Sequence, residues 1–139
     1  MTSYLDTSVF ASLALGGSLS SRARKWIDAA GGAIALSDWT LCEFSSALRV
    51  SERAGRISEA ERERAEFGAG QWTGRSEPLA IVGADVRRAR GMIDAFRAPL
   101  RAGDALHLAV AERFGLALAT FDEGMRRAAR EIGLAVEEL

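Results

Sequence analysis

The sequence predicts an α/β protein: a three-layer α/β/α sandwich around a mostly parallel sheet of four to five strands. Three observations carry that expectation. Short apolar runs recur at residues 3–5, 33–36, 78–82 and 116–120 without the alternation of a half-exposed strand, which suits strands covered on both faces. Longer stretches of helical periodicity separate them, the pattern of strand–helix–strand units. The composition, with 26 Ala and 17 Arg against only two Pro, favours helices and argues against an all-β sandwich. A chain of 139 residues, 48% apolar and 27% charged, has the size of one domain, residues 1–139, around one hydrophobic core.

Each element has its own local reason. Residues 3–5 are β-prone and end at Asp6-Thr7-Ser8, where the period turns helical through Val9, Phe10 and Leu13 until Gly16-Gly17. Ser18, Ser20 or Ser21 can cap a second helix carrying Ala23, Trp26, Ile27 and Ala30, which Gly31-Gly32 stops. After the second strand, Ser37 or Asp38 caps a helix with Leu41, Phe44, Ala47 and Leu48 on one face. Ser58 and Glu61 have capping-box spacing and open a helix to about Trp72. Five Arg and five Glu between positions 49 and 66 read as a solvated helical hairpin held by i,i+4 pairs.

Beyond the third strand, Asp85 is expected to cap a helix striped by Val86, Ala89, Ile93 and Phe96, before Pro99 interrupts the pattern. A further helix runs from about Gly103 to Phe114, and after the fourth strand a last one carries Met125, Ala128, Ala129 and Ile132. Residues 134–136 make a short edge strand.

Several classes are excluded at once. Cys42 stands alone, so there is no intrachain disulfide, thiolate cluster or CxxC pair, and a reducing cytoplasm is the expected compartment. The apolar opening lacks the basic start of a signal peptide and carries Asp6, and no run of 18 apolar residues could span a membrane. With 18 basic and 19 acidic residues the net charge is -1, so no polybasic or acidic tail is present.

In parallel sheets, sites assemble outside the carboxyl ends of the strands. Asp6 follows the first strand and Asp122 the fourth, while Glu43 lies early in the helix after strand two and Asp104 at the start of another helix. Separate helix caps explain each Asp singly, and a solvent-facing position explains Glu43. Together, four carboxylates at one rim repel unless a cation neutralises them. All-oxygen ligation suits Mg2+ or Mn2+ rather than zinc. A cation so held can activate a water and neutralise a phosphoryl oxygen, which points to phosphodiester hydrolysis.

The strings Tyr4-Leu5-Asp6-Thr7-Ser8, Glu43 in its helix, Gly103-Asp104-Ala105-Leu106-His107-Leu108-Ala109 and Thr120-Phe121-Asp122 resemble the four acidic motifs of PIN-domain ribonucleases. Their order, spacing and the chain length look most like the VapC-type toxins of toxin–antitoxin pairs, over essentially the whole chain. The resemblance implies a PIN-like fold and an endoribonuclease dependent on Mg2+ or Mn2+, with Asp6, Glu43, Asp104 and Asp122 as its acidic quartet. It also implies an RNA substrate, a homodimer, and a cognate antitoxin whose tail wraps the toxin and can reach the acidic site. By similarity, Ser8 or Thr120 adds a hydroxyl at the rim that orients a carboxylate or a water; capping and β-propensity account for the same two residues.

Between positions 87 and 101 lie Arg87, Arg88, Arg90, Arg97 and Arg101 with one Asp, a patch suited to RNA phosphates or to a solvated helix face. Arg101, three residues before Asp104, is the substrate-binding candidate. His107, one turn from Asp104, invites a general-base role but reads better as packed and hydrogen-bonded. Cys42 reads as a small core residue. Trp26, Trp39 and Trp72 read as core or interface, Trp72 being the most partner-facing. The competing function is a non-catalytic RNA- or protein-binding module on the same fold. Phosphoryl-transfer folds fit less well: a haloacid-dehalogenase-like phosphatase wants Asp where Ser8 stands, and a receiver domain wants a late Lys where the only Lys is Lys25.

Overall fold

The computed structural model describes all of residues 1–139. In chain order the elements are β1 (Ser3–Leu5), α1 (Thr7–Leu15), α2 (Ser20–Ala29), β2 (Ile34–Ser37), α3 (Asp38–Arg53) and α4 (Glu59–Thr73). They continue with β3 (Glu77–Leu79), α5 (Gly83–Ala95), α6 (Ala102–Phe114), β4 (Ala117–Ala119) and α7 (Glu123–Glu131). The four strands form one all-parallel sheet in the order β3-β2-β1-β4. The chain therefore starts in the middle of the sheet, steps outward to β3, and crosses back to place β4 on the other side of β1. That reversal opens a crevice beyond the carboxyl ends of β1 and β4, the usual place for a ligand in such sheets.

Both faces of the sheet are covered, as the unbroken apolar runs require. Tyr4, Ala35 and Leu118 point to one face, where they pack with Leu79, Met92, Leu108, Met125 and Ala129 under α5, α6 and α7. Leu5, Ile34, Leu36 and Ala119 point to the other, packing with Phe10, Leu13, Ile27, Phe44 and Leu48 under α1 to α4. The period-2 alternation of a strand thus sorts neighbouring residues into two apolar layers. On the second face α4 lies close against α1: a Cβ at Gly68 would stand 3.2 Å from the Ala14 carbonyl oxygen.

The three-layer expectation holds, with local corrections. The third strand stops at Leu79 instead of running from 78 to 82, and its Pro78 is tolerated because β3 is an edge strand. The helix after it begins at Gly83 with Val82 at the N-cap, so Asp85 sits one turn inside; its carboxylate reaches back to the Val82 amide at 2.9 Å. No serine caps α2, whose N-cap is Leu19. Residues 134–136 form a single parallel bridge, Leu118 to Val136, instead of a strand.

Cys42 is exposed on the outer face of α3 and does not join the core. The α3–α4 hairpin is less solvated than its charge suggests. Arg62 is 7% exposed and pairs with Glu52 across the hairpin at 2.9 Å and with Glu66 along α4 at 2.6 Å. Trp26 is buried and donates to Glu137, whereas Trp39 and Trp72 are half-buried, Trp72 under the guanidinium of Arg75.

Asp85 is the structural acid of the α5–α6 layer. Burial works against its ionisation, but two hydrogen bonds from Arg113, at 2.6 and 2.9 Å, and one from the Val82 amide hold its carboxyl below the ordinary range. A depressed folded-state value means stability that is present above the unfolded value and lost as pH falls through the folded one. Asp85→Ala is expected to cost about 2–3 kcal/mol at neutral pH, less than a fully buried pair because of solvent at Arg113. Urea denaturation curves should show that deficit shrinking in acid.

Candidate active site

Asp6, Thr7, Ser8, Glu43, Asp104, His107, Asp122 and Met125 line one cavity of about 190 Å³ beyond the carboxyl ends of β1 and β4. The four acidic residues expected from the sequence are therefore brought together from four separate elements. Asp6 and Asp122 are also the N-caps of α1 and α7, accepting from the amides of Val9 at 3.1 Å and Met125 at 2.7 Å. The capping reading holds for both, and the same two carboxylates also line the cavity. Asp104 is no cap; α6 opens at Ala102 behind Arg101, which leaves Asp104 free to face the cavity.

Asp6 is 2% exposed, and the chain meets the cost of burying it with directed donors. Ser8 donates to Oδ1 at 2.7 Å and Thr120 to Oδ2 at 2.5 Å. The same two hydroxyls accept from the amides of Phe121 and Asp122, each at 3.0 Å. Burial pushes the Asp6 carboxyl above its ordinary range, while the hydrogen bonds from Thr120, Ser8 and the Val9 amide pull it back. Thr120 thus bonds Asp6 from just outside the cavity lining.

Glu43 is held by two donors on one oxygen. Thr7 Oγ1 lies 2.7 Å and His107 Nε2 3.1 Å from its Oε2. The His107 bond, followed by that of Thr7, outweighs burial and lowers the Glu43 carboxyl. His107 is 1% exposed and its Nδ1 lies 2.6 Å from the Tyr4 hydroxyl, so it is packed and hydrogen-bonded as expected. Gly103 makes room for Glu43: a Cβ there would stand 2.7 Å from Oε1 and 3.3 Å from the Trp39 ring.

Asp104 is half-buried, and its carboxyl is raised first by burial and then by the charge of Asp122. Arg101 acts on it in the opposite sense, through space. No Lys or Arg forms an ion pair with any of the four acids. No three acidic, His or Cys groups share one centre at ligating distance. What the cavity does offer is an all-oxygen set of carboxylates, the donor chemistry of a hard cation such as Mg2+ that keeps several of its waters.

Sequence reasoning missed Thr7 and Tyr4. The signal for Thr7 was its place beside Asp6 at the end of β1, where any polar residue faces the crevice. Tyr4 carried none, because a buried aromatic in a strand reads as core. The arginine patch is only partly free: Arg88 is bound to Glu112 at 2.7 and 2.8 Å, while Arg90 lines an apolar cavity with Trp39, Ile93 and Gly103. Arg101 is exposed beside the acidic rim.

No helix is long and apolar enough to cross a membrane. Residues 3–131 match the family model of the PIN domain. No curated protein matches the chain. Among solved structures it is similar to FitAcB from Neisseria gonorrhoeae, at 25% identity and a TM-score of 0.70, with 99% of this chain and 97% of that one covered. It is also similar to VapC20 from Mycobacterium tuberculosis, a toxin that cleaves the sarcin-ricin loop, at 16% identity and a TM-score of 0.72, covering 92% and 95%. VapBC2 from Rickettsia felis, bound to a promoter DNA fragment, gives 16% identity and a TM-score of 0.71, covering 99% and 98%. At 16% identity the last two show a shared fold alone. The family match over nearly the whole chain, with acids gathered where a 3-2-1-4 parallel sheet reverses, makes this chain a member of the PIN-domain family.

Proposed function

We propose that residues 1–139 form one nuclease domain that hydrolyses RNA phosphodiester bonds with Mg2+ or Mn2+, as the toxin of a toxin–antitoxin pair. The observation that carries this reading is the convergence of Asp6, Glu43, Asp104 and Asp122 on one cavity with no cationic side chain against them. The likeness to a sarcin-ricin-loop-cleaving toxin and the family match support RNA as the polymer and a toxin as the role. A cognate antitoxin is the corresponding protein partner, and a homodimer the corresponding assembly.

Asp6, Glu43, Asp104 and Asp122 are the residues to hold the cation. When bound, it would neutralise the carboxylates and polarise water and phosphoryl oxygen. Ser8 and Thr120 hold Asp6 in one rotamer, and Thr7 does the same for Glu43. Arg101 offers a phosphate contact beside Asp104. A non-catalytic binding module has no use for four converging acids, which disfavours that alternative.

Cleavage of RNA by the purified protein is expected to require Mg2+ or Mn2+ and to stop in EDTA. Asp6→Asn or Asp104→Asn should reduce it to background while circular dichroism shows an intact fold; a neutralised variant that still cuts overturns the reading. Expression of the wild-type chain in a bacterial host should arrest growth, and expression of Asp6→Asn should not.

Stability should move the other way at Asp104. Its raised folded-state value means the protonated form is favoured in the fold, so stability falls as pH rises through the folded value. In the ion-free protein at neutral pH, Asp104→Asn is therefore expected to raise Tm. Added Mn2+ should raise the Tm of the wild type, by mass action on the folded state, more than that of the variant.

Arg101→Ala is expected to raise KM for RNA with little change in kcat. It should also lower the slope of log affinity against log salt by about one, the signature of one lost phosphate contact. Initial rates of cleavage read the first, and fluorescence anisotropy with a short RNA across a salt series reads the second.

A further inference from the structure

The relay behind Glu43 has a direction. An ionised carboxylate only accepts hydrogen bonds, so Nε2 of His107 must carry a hydrogen to reach Oε2 at 3.1 Å. In the neutral ring that leaves Nδ1 an acceptor, and the only donor facing it is the Tyr4 hydroxyl at 2.6 Å. With its hydrogen committed, Tyr4 Oη accepts from Ser37 Oγ at 2.7 Å, and Ser37 Oγ in turn accepts from the Thr40 amide at 3.1 Å. Donors thus run one way, from Ser37 at the end of β2 through Tyr4 in β1 and His107 in α6 to Glu43 in α3. Tyr4, Ser37 and Thr40 are fully buried, so no water competes for these bonds.

Resting on the metal-dependent reading of the acidic cavity, we infer that His107 is a positioning residue for Glu43, with its Nε2–H tautomer fixed by the Tyr4 hydroxyl. The relay and Thr7 both load Oε2, so the carboxylate cannot rotate without losing two donors. Oε1 is left on the side of Gly103 and the Trp39 indole, whose Nε1 is buried and has no hydrogen-bond partner. Oε2 is thus tied by two donors, while Oε1 takes no hydrogen bond that meets the same geometry. Partners of this kind behind a metal-binding carboxylate are worth about 10- to 100-fold in metal affinity. His107 needs no proton transfer of its own for this role.

The first test needs neither variant nor RNA. Long-range 1H–15N correlation spectra of the ion-free wild-type protein are expected to show His107 protonated at Nε2 and not at Nδ1. The Nδ1–H tautomer overturns the inference. Tyr4→Phe should shift that equilibrium toward Nδ1–H. An unchanged tautomer in Tyr4→Phe overturns the role given to Tyr4.

The second test is Mn2+ binding followed by electron paramagnetic resonance. His107→Ala is expected to weaken it about 10-fold or more, and His107→Gln, which keeps a donor near the Nε2 position, to recover most of the loss. Equal affinity in wild type and His107→Ala overturns the inference. In cleavage assays the same substitution should lower kcat and raise the Mn2+ concentration needed for half-maximal rate, leaving KM for RNA unchanged; a change confined to KM overturns it. If the wild type cuts no RNA, the ribonuclease reading fails, while the tautomer and Mn2+ measurements still decide the relay.

Discussion

Burying the Asp6 carboxylate at the carboxyl end of β1 is the constraint around which the site is built. A carboxylate taken out of water costs several kcal/mol unless donors replace the water. The donors come from the first turn of α1, through the Val9 amide and Ser8 hydroxyl, and from the end of β4, through Thr120. Satisfying Asp6 therefore requires β4 to lie beside β1 in the observed register, Leu5 against Ala119. The two hydroxyls then accept from the amides of 121 and 122, which fixes the turn carrying Asp122. One electrostatic demand thereby sets the relative placement of two of the four acids.

The cavity that results has two unlike walls. Asp6 and Glu43 are each tied by several donors, and Glu43 is also backed by a buried relay. Asp122 is tied only by the Met125 amide and Asp104 by no hydrogen bond, and the charge of Asp122 is, after burial, part of what raises Asp104. A fold selected for stability alone would not keep that second pair. Like charge kept at the one place where the sheet order reverses is what the proposed cation site would require.

What could be read in the sequence follows from how local each feature is. Strands covered on both faces announce themselves as short apolar runs, and the acid after such a run falls at the sheet edge whatever the loops do. Asp6 and Asp122 were legible for that reason, and the capping box at Ser58 and Glu61 for a similarly local one. Glu43 and Asp104 needed the set of four, since each alone is an ordinary helix residue. The misses are tertiary. Asp85 looked like a cap because nothing in its own neighbourhood shows Arg113, 28 residues on, whose guanidinium draws it into an ion pair. Cys42 looked like core by residue type, but α3 turns it outward between Leu41 and Glu43. Tyr4 was legible as core and is core; only the fold reveals that its hydroxyl meets His107, 103 residues away.

The net charge of -1 conceals how the arginines are spent. Arg62, Arg113, Arg88, Arg126 and Arg130 are consumed in ion pairs that tie helices to each other or to the C-terminal segment. Arg97, Arg101 and Arg127 have no such partner. Arg127 lines a cavity of about 430 Å³ with Phe96, Pro99 and Leu100, and Gly124 joins that cavity to the Asp122 turn, a Cβ there falling 3.2 Å from the Asp122 carboxylate. A polyanion that reached the 96–101 loop would meet unpaired guanidinium groups and apolar surface there. Charges already paired inside the fold neither attract it nor release counterions on its arrival, so the few that remain govern the encounter. A nearly neutral chain can keep a locally basic loop because pairing elsewhere consumes the other charges.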